Sequence, residues 1–242
     1  MKFLCNQKGM RTIQYFGGKT KVAKQIVEYL ESVRKEQQTY IEPFVGGGII
    51  CSKMSGNRIA SDYNEYLIEM YNAVQTGYEL PEEITKEQYD YIRNNKDENK
   101  PLTGFVGFGC SFAGKWFGGY ARQKGYNFAN GSKRSLLKKM QTMQDVKFEY
   151  KNYKEWMDIK GALIYCDPPY SETTQPYGTG DFNTEEFWED MRVLSKNNNV
   201  YISEYSAPED FECVLEIPTK TIIRDSNDKV SYRVEKLFTY KK

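Results

Sequence analysis

Histidine is absent from the 242-residue chain. That absence excludes Ser-His-Asp and Cys-His catalysis and the commonest zinc ligand sets. An excess of charge is missing too. Lys and Arg number 34 against 33 Asp and Glu, so a net charge of +1 selects no partner. No run of eighteen apolar residues occurs, which argues against a transmembrane helix. The opening stretch MKFLCNQKGMRTIQYFGGK has no continuous apolar core of the signal-peptide kind. The five cysteines (Cys5, Cys51, Cys110, Cys166 and Cys213) are odd in number and never spaced as CxxC. Free thiols in a reducing cytoplasm are therefore expected, with no membrane partner and no metal. Carboxylates, backbone groups, aromatics, lysine or a reactive cofactor are left to carry any chemistry. The wealth of Asn, Lys, Tyr and Ile is that of an AT-rich bacterial or phage genome.

What is present alternates. TKVAKQIVEYLESV sets Val22, Ile26, Leu30 and Val33 on one helical stripe. TYIEPF reads as a short strand stopped by Pro43, and VGGGIICSKM as a glycine turn running into a second helix. NRIASD reads as a strand closing on Asp62, and NEYLIEMYNAVQTG as a helix stopped at Gly77. After a polar stretch at 81–98, residues 99–144 hold no Asp or Glu, but eight Lys or Arg interleaved with eight aromatics. The rhythm resumes with GALIYCD as a buried strand and TEEFWEDMRVLSK as a helix capped by Thr184. Strands NVYISEYS, FECVLEIP and SYRVEKLFTY follow. The expected architecture is one α/β domain in two sequence halves, 1–80 and 141–242, around an insertion at 81–140.

Two strand ends carry chemistry. In YIEPFVGGG, glycines after a strand let the backbone approach a ligand, and the acid twenty residues after Glu42, Asp62, can accept from both hydroxyls of a ribose. A tight turn with Asp62 as a mere cap fits the same residues. The GxGxxG of a nicotinamide site and the GxxxxGK[ST] of a phosphate loop are absent. In IYCDPPY, the prolines end the strand abruptly. A planar base with an exocyclic amine would suit what remains. Asp167 and the Pro168 carbonyl would each accept one N–H, and Tyr170 would stack on the ring. The lone pair so freed needs an activated electrophile, and the sulfonium methyl of S-adenosylmethionine is one that requires neither metal nor histidine. The bland alternative is a stiff turn with a surface tyrosine.

YFGGK at 15–19, EPFVGGG at 42–48 and DPPY at 167–170, in that order, resemble the motifs of the Dam-like (D12, alpha-class) DNA adenine-N6 methyltransferases. The resemblance implies a Rossmann-like class I methyltransferase sheet with a small inserted target-recognition module, acting on DNA with S-adenosylmethionine. It implies cofactor contacts from Tyr15, Gly17, Gly18 and Lys19, from Glu42, Pro43, Phe44, Gly46 and Gly48, and from Asp62 and Asp167. It implies an adenine pocket of Asp167, Pro168, Pro169 and Tyr170. A monomer is expected, with a dimer on DNA as the alternative. The segment FGCSFAGKWFGGYAR resembles its family counterpart only loosely and lacks the asparagine-rich core, and the loop SETTQPYGTGDF differs from the longer form of sequence-specific members, as a compact phage- or prophage-type enzyme would.

The acid-free insertion suits phosphate neutralisation and stacking on unpaired bases. Lys115, Arg122, Lys124, Lys133, Arg134, Lys138 and Lys139 are its expected DNA contacts, while most of its aromatics are expected to be core. Four rival readings remain: cytosine-N4 methylation, methyl transfer to RNA or a protein amide, a non-catalytic nucleic-acid-binding protein of the same fold, and, more distantly, a nicotinamide oxidoreductase. A place in restriction–modification follows from the family likeness.

Overall fold

The computed structural model describes residues 19–169, 182–224 and 230–241. Helix α1 (Ala23–Val33) forms where expected, with Ala23, Ile26 and Leu30 buried along one stripe. Strand β1 (Tyr40–Glu42) follows, then β2 (Arg58–Asp62) and α2 (Glu65–Gln75). Asn64 caps α2 by accepting from the Leu67 N–H at 3.0 Å, and Gly77 ends it at φ 92°. Three further helices come next: α3 (Lys86–Asn94), α4 (Lys100–Gly109) and α5 (Phe128–Met140). Strands β3 (Lys147–Tyr150) and β4 (Leu163–Cys166), helix α6 (Thr184–Ser195), and strands β5 (Asn199–Glu204), β6 (Phe211–Arg224) and β7 (Val230–Tyr240) complete the chain.

The strands make one seven-stranded sheet in the order β3-β2-β1-β4-β5-β7-β6. β1 pairs in parallel with β2 on one side (Ile41 opposite Ile59) and with β4 on the other (Ile41 opposite Ile164). Only β7 runs antiparallel, between β5 and β6. Pro218 sits within β6, opposite Val234, which is tolerable because β6 is an edge strand.

Alternation along the strands builds two cores. Tyr40, Leu163 and Tyr165 face one side, where they join residues from α1, α2, α4 and α5. Ile41, Ile164 and Cys166 face the other and pack against Phe187, Met191 and Leu194 of α6. Cys166 is wholly buried, and burial pushes its thiol pKa up, so it is an apolar filler. The helices of the insertion have no separate core. Phe105, Phe108, Leu136 and Met140 belong to the same cluster as Leu30 and Tyr40. Trp116 packs against that cluster, whereas Phe112 is 68% exposed.

Three local expectations change. After the glycine turn the chain forms only a 3₁₀ turn (Cys51–Lys53), because Ser55–Gly56 halts it before β2 begins. The cap of α6 is Asn183, whose side chain accepts from the Glu186 N–H at 3.1 Å, one residue before Thr184. The segment KFEY, unassigned from its pattern, is the edge strand β3. Among the described residues no helix is long and apolar enough to cross a membrane.

Helix α4 lies so close to α2 that a Cβ on Gly104 would stand 2.1 Å from the Tyr66 carbonyl oxygen. Gly104→Ala is expected to lower stability by about 1–3 kcal/mol, read as an earlier urea midpoint, because backbone rather than a flexible side chain must move.

Candidate active site

Four adjacent parallel strands end on acids at one edge of the sheet. β1 closes on Glu42, β2 on Asp62 and β5 on Glu204, and β4 is followed at once by Asp167. The strand order reverses between β1 and β4, and the crevice outside such a reversal is where open α/β sheets hold ligands.

The turn after β1 forms one wall. Gly46 and Gly48 have φ of 44° and 63°, which L side chains rarely adopt. Asp62 fastens this turn to the start of α2. Its Oδ2 accepts from the Gly46 N–H and its Oδ1 from the Asn64 N–H, both at 2.9 Å. The Tyr71 hydroxyl donates to the Gly46 carbonyl at 2.9 Å. From α5, the Lys139 ammonium donates to the Gly47 carbonyl. Below the turn, Glu42 is buried and accepts from the Tyr40 hydroxyl at 2.6 Å. Burial raises Glu42 to about 8 and lowers Lys139 to about 8. Burial also raises Asp62 to about 6, against the opposing pull of its backbone donors. Pro43 is buried, and Phe44 stacks on Tyr153 with ring centroids 5.4 Å apart.

Asp167 forms the other wall. Lys19 stands between two carboxylates, its Nζ 2.9 Å from Asp167 Oδ1 and 3.0 Å from Glu235 Oε1. Burial works against the ammonium, but the two acids outweigh it and raise the Lys19 pKa. Asp167 is raised to about 6 by burial, with Lys19 opposing and Glu235 adding to the rise. Its side chain keeps 20% of its surface exposed, so it remains reachable from the crevice. Pro168 is buried and Pro169 half-buried behind it. Tyr165 and Ser203 share a 2.8 Å hydrogen bond one residue back from the edge.

The structure thus gathers Lys19, Glu42, Pro43, Phe44, Gly46, Gly48, Asp62, Asp167, Pro168 and Pro169 along one sheet edge. Tyr15, Gly17, Gly18 and Tyr170, and most of the loop SETTQPYGTGDF, lie outside the described residues. The cations of the insertion are spread over different settings. Arg122 and Lys124 are exposed on a turn closed by a Gln123–Tyr126 bridge, with Arg122 lying 5.5 Å from the Tyr120 ring centroid. This turn borders a cleft of about 670 Å³ that Tyr126 and Phe128 also line. Arg134 and Lys138 are exposed on α5, Lys115 is half-buried, and Lys133 pairs with Glu82 at 3.1 Å. Lys139, the next residue after Lys138, turns inward to the glycine turn.

Two further acids outside the motifs stand at this edge. Glu204 had a visible signal, since its strand ends on an acid like its neighbours. Glu235 had none, because it lies within a long strand of mixed charge. Among the described residues no group of three or more potential metal ligands comes together.

A family model described as D12 class N6 adenine-specific DNA methyltransferase matches residues 15–104 and 113–222. The Type II methyltransferase M.MjaIII of Methanocaldococcus jannaschii is 25% identical over 220 residues, covering 75% of this chain and 76% of that protein. The Type II methyltransferase M.FokI of Planomicrobium okeanokoites is 26% identical over 199 residues, covering 70% of this chain but only 30% of that protein. Among solved structures, a putative RNA methyltransferase from Pyrococcus horikoshii, PH1948, aligns with a TM-score of 0.39 at 11% identity, over 90% of this chain and 81% of that one.

Asp62→Ala removes the acceptor for two backbone N–H groups. It is expected to cost about 1–3 kcal/mol of stability and to speed amide hydrogen exchange at Gly46 and Asn64 selectively. Exchange unchanged at Gly46 would contradict the fastening role.

Proposed function

The chain belongs to the D12 class of N6 adenine-specific DNA methyltransferases, and from that premise we propose that Asp167 and Pro168 present the target amine for methyl transfer. The reaction is transfer of a methyl group from S-adenosylmethionine to adenine N6 in DNA. The observation that carries the residue roles is the position of Asp167. It follows β4 at the strand-order reversal, directly across from the glycine turn of β1.

The donor fits the residues on that edge. Gly46 and Gly48 bring backbone close to the crevice, and Asp62 uses one lone pair on each oxygen internally, which leaves acceptor capacity for two ribose hydroxyls. Pro43 and Phe44 shape the apolar side of this pocket. Glu42 lies beneath the turn and supports it with Tyr40, as does Lys139 from the opposite side. When bound, S-adenosylmethionine supplies a sulfonium methyl whose carbon–sulfur bond breaks as the N6–carbon bond forms, the electrons returning to sulfur.

The chain's own part is to hold the amine. Asp167 accepts one N–H and the Pro168 carbonyl the other, which draws the nitrogen lone pair out of the ring. Because the Pro168–Pro169 backbone is stiff, the carbonyl keeps its direction without further support. Asp167 accepts most strongly when ionised, and only as a carboxylate can it take up the proton that N6 sheds. Tyr170 is assigned the stacking face for the extruded base.

Residues 81–140 serve as the target-recognition part, between catalytic halves at 1–80 and 141–242. Arg122, Lys124, Arg134 and Lys138 are its phosphate contacts, with Lys115 at their margin. Lys133 is partly committed to Glu82, and Lys139 to the glycine turn. The Type II names of the two relatives favour a modification role beside a restriction endonuclease, and the protein is assigned as a cytoplasmic monomer.

Labelled S-adenosylmethionine and methylation-free DNA, digested to nucleosides after reaction, should yield N6-methyldeoxyadenosine. Asp167→Ala should abolish the product, and full activity there would overturn the assignment. In the unaltered enzyme the rate should fall as pH drops through about 6, where Asp167 takes up its proton. A methylcytosine product would keep the chemistry and replace the base.

Neutralising Arg122, Lys124, Arg134 and Lys138 together should weaken DNA binding and flatten its salt dependence by roughly one unit of log–log slope per lost phosphate contact. Affinity that is unchanged across a salt series would remove these four from the interface.

A further inference from the structure

Glu235 has no place in any motif, yet it belongs to the active-site edge. Strand β7 runs antiparallel beside β5, and their pairing ends with Glu204 opposite Lys236. Glu235 therefore lies just past the tip of β5, level with the residues that follow the parallel strands. Its carboxylate meets the same ammonium as Asp167, at 3.0 Å against 2.9 Å. All three side chains are largely withdrawn from water, with 5% of Lys19, 20% of Asp167 and 12% of Glu235 exposed.

A lysine ammonium is a point charge on a flexible stem, with three donors and no preferred plane. With Asp167 as its only partner it could bridge both carboxylate oxygens or move between them. A second buried acid on the far side removes that freedom. Among the described residues, Lys19 on Oδ1 is the only partner of the Asp167 carboxylate. We infer that Glu235 is a positioning residue, which anchors Lys19 on Oδ1 of Asp167 and so keeps Oδ2 for the target amine. This rests on the reading of Asp167 as the acceptor of that amine.

The charge pattern around Asp167 makes the role measurable. Lys19, which precedes α1, favours its ionised form. Glu235 on β7 and Glu204 on β5 oppose it. Glu42 on β1 and, when ionised, Tyr165 and Cys166 on β4 also couple unfavourably to it. Removing the Glu235 charge takes away one of the repulsions, so the pH at which Asp167 protonates should fall. A residue that merely packs β7 would not move that pH.

The test compares Glu235→Gln, Glu235→Asp and Asp167→Asn with the unaltered enzyme. Single-turnover methyl transfer is followed across about pH 5 to 8, with donor affinity from calorimetry and folding from thermal melts. Glu235→Gln should bind S-adenosylmethionine within about twofold of normal, transfer about tenfold more slowly at neutral pH, and show an acid limb moved to lower pH. An unchanged rate, or a slower rate with the acid limb in place, overturns the inference. Glu235→Asp keeps the charge and shortens the reach. If Glu235→Gln fails to fold, a slower Glu235→Asp enzyme with an unmoved acid limb supports the inference, and a normal rate overturns it. Asp167→Asn separates the two claims. Transfer retained there would overturn the reading of Asp167 itself, whereas its loss beside a normal Glu235→Gln enzyme overturns only the role of Glu235.

Discussion

Carboxylates crowded at one sheet edge are the constraint around which this protein is arranged. Glu42, Asp62, Asp167, Glu204 and Glu235 occupy neighbouring strand positions, and burying so many acids disfavours their charge. Each is answered locally. Asp62 takes backbone donors, Glu42 a tyrosine hydroxyl, Glu204 the Tyr205 N–H, and Asp167 and Glu235 a single shared ammonium. The answer is incomplete, because Glu42 stays near 8 and both Asp62 and Asp167 near 6. A carboxyl raised in the folded state contributes stability below its unfolded pKa and loses it as pH rises through the folded value. Asp167 therefore weakens the fold once it is ionised, above about pH 6, and the surrounding apolar packing has to carry that cost.

Two parts of the chain that are far apart in sequence supply the compensation. Lys19 comes from before the first helix, and Lys139 from the last helix of the insertion. Lys19 is buried and Lys139 half-buried, and the two cations are directed at opposite walls of the crevice. One fixes a side chain, the other a backbone carbonyl. The difference suits the groups concerned, since a carboxylate needs its orientation set, whereas a left-handed turn needs its shape held.

Much of the scaffold was legible because its strands are short apolar runs that stop on acids. IYCDPPY and RIASD announced both their strand and its end. The helix expected after the glycine turn fell short because Ser55 and Gly56 arrive before a second turn can close. The strand KFEY escaped notice because four residues of alternating charge at an edge bury too little to leave a pattern. The candidate site was legible as motifs on β1, β2 and β4. Its remaining members were not, since Glu235 reaches Lys19 only through the antiparallel return of β7. Lys139 reads as one of a pair with Lys138, and only the register of α5 separates an outward cation from an inward one. The Phe44–Tyr153 stack likewise joins residues more than a hundred positions apart, beyond any local period.

The close seat of Gly104 on α2 and the reach of Lys139 into the glycine turn bear on how such an enzyme can change its target. The segment 81–140, which shares its core with the sheet and ties down the glycine turn after β1, is not an exchangeable cassette. A foreign segment grafted between residues 81 and 140 would bring its own outer surface, but it would remove a strut from the glycine turn after β1. With residues 81–140 as the target-recognition part proposed above, new specificity would arise more readily on the exposed 122–126 turn, and on the outer face of α5, than by replacement of the whole. The buried side of the insertion would be inherited with the fold, while its rim drifted.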